Sequence, residues 1–71
     1  MIFFFERGGK YLRCDIHAAA NQEGFELSLV HPDGSETVEK FADADGVYQR
    51  WQELQSTLKA DGWWGPHGRD I

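Results

Sequence analysis

As far as Phe41 the apolar residues recur mostly with a period of two, and beyond it the period becomes helical. Ile2 to Arg7 is β-branched and aromatic, the composition of a strand. From Lys10 to His17, Leu12, Cys14 and Ile16 alternate with Tyr11, Arg13, Asp15 and His17, which sends the first set to a core face. Phe25 to His31 repeats the pattern, with Phe25, Leu27 and Leu29 inward and Glu26, Ser28 and Val30 outward. Ser35 to Phe41 reads as a fourth strand, in which an inward Val38 turns Phe41 outward.

Turn residues separate these segments. Gly8-Gly9 accepts positive φ at both positions and predicts a tight hairpin. Asn21 to Gly24 marks a second break. Pro32-Asp33-Gly34 fits a type I turn with Pro at its second position and Gly just after it, closing a second hairpin. Consecutive tight turns force an antiparallel meander.

Val47, Trp51, Leu54 and Leu58 then form a stripe along one side of a helix, with Gln49, Arg50, Gln52, Glu53, Ser56 and Lys59 on the other. Asp43 or Asp45 suits its N-terminus, and Gly46 is tolerable in the first turn. At the other end, Gly62 as a left-handed residue sets Trp63 against Leu58 in a Schellman motif. Gly65, Pro66 and Gly68 argue against regular structure, so residues 64–71 read as an extended tail. The expected fold is α+β: a four-stranded antiparallel meander, β-β-β-β-α, with one C-terminal helix packed on one face. Residues 1–62 form the domain, and residues 63–71 are a Trp/Gly/Pro tail packing back on it.

The chain has 71 residues, 41% of them hydrophobic and 14% aromatic, which fits one small folded domain. At this size folding hides only about 60% of the unfolded surface, so a partner subunit is suspected from length alone. Its single cysteine, Cys14, forms no internal disulfide, and no Cys/His grouping has zinc-site spacing. The longest apolar run, Met1 to Phe5, is far short of a membrane span and lacks the flanks of a signal peptide. A soluble cytoplasmic protein with a reduced thiol is expected.

The net charge of −5 is uneven: residues 1–13 carry +2, from Arg7, Lys10 and Arg13 against Glu6, and the remainder carries −7. Anions are therefore attracted only to the N-terminal hairpin.

Little points to catalysis. Cys14 and His17, three apart on a strand, face opposite ways, which argues against a nucleophile pair or a shared metal. Cys14 reads as a small core residue. His17 and His31 end neighbouring antiparallel strands at opposite edges of the sheet. Asp15 and His17 share the outer face, but no serine has the glycine pattern of a nucleophile elbow, and no phosphate loop or dinucleotide fingerprint is present. No enzyme activity, cofactor or metal is expected.

The aromatic residues say more. Whichever phase the first strand takes, large apolar side chains point away from the helix, and Phe3 and Phe5 are assigned there with Tyr11 and Val30. One helix leaves that face uncovered. Self-association through the open face or an edge strand, as a homodimer, is the preferred outcome. A second is that the tail closes over the face as a lid. In a third, Phe3, Phe5 and Tyr11 stack on a ligand while Arg7, Lys10 and Arg13 follow its backbone, as in single-strand nucleic-acid binders.

The order β-β-β-β-α over residues 2 to 61 resembles the repeat of the PUR proteins and the core of the Whirly proteins, in topology. The resemblance implies single-stranded DNA or RNA binding on a curved sheet, with Arg7, Lys10, Tyr11 and Arg13 where that sheet presents them. Net negative charge disfavours it. The segment Asp61-Gly62-Trp63-Trp64-Gly65-Pro66-His67-Gly68-Arg69 looks like a signature of small bacterial proteins. The function expected is a non-catalytic module binding itself or a protein partner, with nucleic acid as the alternative and no membrane association.

Overall fold

Two glycines set the register of the first hairpin, and with it the side of the sheet on which each aromatic lies. Gly8 and Gly9 have φ of 56° and 79°, the left-handed values that a two-residue type I′ turn requires. In this computed structural model, which describes residues 1–20 and 23–69, they join β1 (Ile2–Arg7) to β2 (Lys10–Ala18) with Arg7 opposite Lys10. Phe5 then falls opposite Leu12, and Phe3 opposite Cys14. Directly opposed residues share a face, so both rings belong with Leu12 and Cys14.

That face is the core. Helix α1 (Ala44–Ala60) lays Val47, Trp51, Leu54 and Leu58 against Phe5, Leu12, Cys14, Leu27 and Leu29. Phe5 is fully buried, and Phe3 packs against the cluster from its margin. Their expected place on the open face is therefore corrected; it belongs to Ile2 and Phe4.

β3 (Phe25–Val30) pairs with β2, and β4 (Glu36–Phe41) with β3, all antiparallel. Asn21 and Gln22, in the break before β3, lie outside the described residues. The second hairpin closes as expected: Gly34 N–H donates to His31 O at 2.9 Å, and His31 N–H donates to Ser35 O at 2.8 Å. Asp33 Oδ1 accepts from the Ser35 hydroxyl at 2.7 Å and its backbone N–H at 2.9 Å. These bonds hold the Asp33 carboxyl below the ordinary carboxylate range.

The phase of β4 is opposite to an inward Val38. Leu27 pairs with Glu39 and Phe25 with Phe41, so Glu39 and Phe41 face the helix and Val38 faces away. A half-buried carboxylate under a helix needs a partner, and Arg50 supplies it, its Nε donating to Glu39 Oε1 at 2.9 Å and Oε2 at 3.2 Å. Arg50, expected on the solvent side, is thus half-buried.

Both helix ends follow the sequence. Asp43 is the N-cap and accepts from Gly46 N–H at 2.8 Å. At the C-terminus Gly62 has φ of 90°, Gly62 N–H bonds Lys59 O at 3.1 Å, and Trp63 N–H bonds Leu58 O at 2.9 Å. This is the Schellman pattern, and it carries Trp63 into the same buried cluster as Leu58.

The expected tail is instead a strand. β5 (Trp64–Arg69) pairs antiparallel with β1, giving a five-stranded sheet in the order β4-β3-β2-β1-β5. The helix is therefore not the last element, and this segment extends the sheet rather than closing over it. Pro66 and the glycines are compatible with a strand because β5 is an edge and its register shifts opposite Phe4 to Glu6. Asp70 and Ile71, the end of the expected tail, lie outside the described residues.

Candidate interaction surface

With α1 on one face of the sheet, the other face carries no second layer among the described residues. The register arranges its side chains in rows. Phe4, Arg13, Val30 and Glu36 form one row, flanked by Ile2, Asp15, Ser28 and Val38 on one side and by Trp64, Glu6 and Tyr11 on the other. Tyr11, Val38 and Trp64 are 59%, 47% and 74% exposed, while Phe4 and Val30 are half-buried among their neighbours.

The polar residues of this face are mostly bound to one another. His17 Nε2 lies 3.0 Å from Glu26 Oε1, and His17 Nδ1 lies 3.6 Å from Asp15 Oδ2. Asp15 also lies 3.8 Å from the N-terminal ammonium and 4.0 Å from the Arg13 guanidinium. Asp15 and His17 do meet, as their spacing suggests, on an open sheet face where Ser28 stands directly opposite Asp15. Among the described residues no group of three His, Cys, Asp or Glu side chains is placed to hold a metal ion. Among the described residues no helix is long and apolar enough to cross a membrane.

The six residues singled out from the sequence are not brought together. Phe3 and Phe5 are under the helix. Arg7 shares their phase and reaches the C-terminal end of α1, donating to Asp61 Oδ2 at 2.7 Å and to its backbone O at 2.9 Å, with its guanidinium 4.7 Å above the Trp63 ring. Lys10 is exposed at the hairpin tip. Tyr11 and Arg13 alone lie on the open face.

Phe4, Val38 and Trp64 were not singled out, although a signal for Phe4 existed. Once Gly8-Gly9 is read as a two-residue turn and Leu12 and Cys14 as core, cross-strand pairing puts Phe3 and Phe5 inward and Phe4 outward.

Cys14, next to Arg13 in sequence, faces the core and is fully buried. Burial first, and then the negative charges of Asp15 and Glu39, push its thiol up to about 12, so it remains protonated and unreactive at neutral pH.

Comparison with known protein families, curated proteins and solved structures finds no match to this chain.

Proposed function

We propose that this chain is a small non-catalytic interaction module whose partner is a second copy of itself, engaged on the part of the sheet that α1 leaves free. The observation that carries this reading is the exposure of Tyr11, Val38 and Trp64 on a sheet with one helix and two open edges. A chain of this size hides little of its surface by folding alone, and self-association is the economical way to cover more. Its lone thiol, held reduced and buried, suits the cytoplasm.

Light scattering coupled to size exclusion tests the reading. Self-association gives about twice the chain's 8.1 kDa; a strict monomer at millimolar concentration overturns it.

One observation favours single-stranded nucleic acid as a second reading: Tyr11 and Arg13 lie two apart on the open face, with Lys10 at the hairpin tip beside them. Stacking on Phe3 and Phe5 is no longer part of it, and the charge of −5 opposes it. Oligonucleotide binding at low salt that weakens in Arg13→Glu supports this reading, and its absence removes it.

A further inference from the structure

The two edges of the sheet differ in their ability to add a strand. In an antiparallel ladder, alternate residues direct both backbone groups to the same neighbour. His31 N–H bonds Ser35 O, and counting by twos from that pair makes Leu29–Thr37, Leu27–Glu39 and Phe25–Phe41 the hydrogen-bonded pairs of β3 and β4. Glu36, Val38 and Lys40 therefore turn their N–H and C=O groups outward, away from β3. β4 is the last strand on its side of the sheet, and these three residues are exposed.

The same counting on β5, where Phe4 pairs with His67 and Ile2 with Arg69, turns Pro66 outward. Proline has no N–H to offer, which blunts that edge. Among the described residues, β4 is the edge able to continue the ladder.

The sequence of β4 also complements itself. Laid antiparallel against a second copy about a two-fold axis at Val38, it sets Val38 against Val38 of the other copy. Glu36 then stands opposite Lys40 of the other copy, and Lys40 opposite its Glu36. These are the three residues with outward backbone groups, so each opposed pair can exchange two N–H···O=C bonds. Their side chains all lie on the open face, where opposed charges at this spacing attract. Neither Glu36 nor Lys40 has an ion-pair partner among the described residues, whereas the neighbouring Glu26 and Glu39 are engaged by His17 and Arg50. Charges on an edge strand commonly prevent pairing; here one register converts both into attractions.

We propose that two copies join edge to edge through β4, with Val38 on the two-fold axis and Glu36 paired to Lys40 of the other copy, making one continuous sheet. This rests on the self-association reading and specifies its surface.

Charge reversal with sedimentation equilibrium tests it. Glu36→Lys places like charges opposite at both ends of the pairing, and so does Lys40→Glu. Each single variant is expected to raise the dimer dissociation constant about tenfold or more. An equimolar mixture of the two single variants restores attraction at both ends and returns affinity to the wild-type range, as does the double variant E36K/K40E. Both positions are exposed, so folding is retained and is checked by circular dichroism. A wild-type dimer unaffected by either single variant overturns the β4 pairing and leaves self-association standing. Weakened single variants that neither mixing nor the double variant restores also overturn it. A monomeric wild type overturns both readings.

Discussion

The ring of Phe3 stacks on the indole of Trp51, with centroids 4.6 Å apart and planes 27° from parallel. Phe5 meets the same indole edge-on at 5.9 Å and 63°. One helical side chain thus holds the first strand of the sheet to the helix.

Trp51→Ala removes both contacts and leaves a cavity, an expected cost of roughly 3–5 kcal/mol. That approaches the whole net stability of a domain this small, about 3–5 kcal/mol, so the variant should be largely unfolded by circular dichroism. Phe3→Ala should cost more than Phe4→Ala in urea titration, because Phe3 lies against Trp51 and Phe4 on the open face. The reverse order contradicts the register set by Gly8-Gly9.

Gly62→Ala tests the helix terminus. An added Cβ would meet only Arg7 Cδ at 3.7 Å, so space is not the obstacle. The obstacle is the φ of 90°, and an alanine held there is expected to cost about 1–2 kcal/mol. A variant with unchanged thermal midpoint contradicts the Schellman assignment.

Cys14 makes stability depend on pH at the alkaline end. Its folded-state pKa of about 12 lies above the ordinary value of 9.0, so its contribution is complete below 9.0 and is lost as pH rises toward 12. The expected result is a fall in stability above pH 9.0 that is smaller in Cys14→Ala. In the folded protein at pH 8, iodoacetamide should label Cys14 only at the rate of unfolding; labelling at the rate of a free thiol contradicts its burial.

Arg50→Ala leaves the Glu39 carboxylate facing the helix without its partner. The pair is about one-third exposed, so the expected loss is modest, about 1 kcal/mol. A double-mutant cycle with Glu39→Gln isolates the interaction, and zero coupling contradicts the inward placement of Glu39.

The strands up to β4, the helix and both helix ends were legible because each has a local cause: alternation, a turn glycine, a cap. The choice of face was legible only where alternation was clean, as in β2 and β3. Phe3-Phe4-Phe5 is apolar on both sides and carries no phase of its own. In β4 the one central apolar residue, Val38, points outward while Glu39 points inward, because the register from the His31–Ser35 turn outweighs polarity and Arg50 neutralises the inward charge. β5 was hidden by Gly65, Pro66 and Gly68, residues that an edge strand tolerates and a central strand does not. The candidate surface was legible as an uncovered sheet, but its members depended on these pairings.

Amide exchange measured by NMR across a concentration series reads the association and its surface together. The outward N–H groups of Glu36, Val38 and Lys40 should exchange more slowly as concentration rises, while those of Thr37 and Glu39, already bonded to β3, change little. Outward β4 amides that exchange at one rate at every concentration would contradict the account.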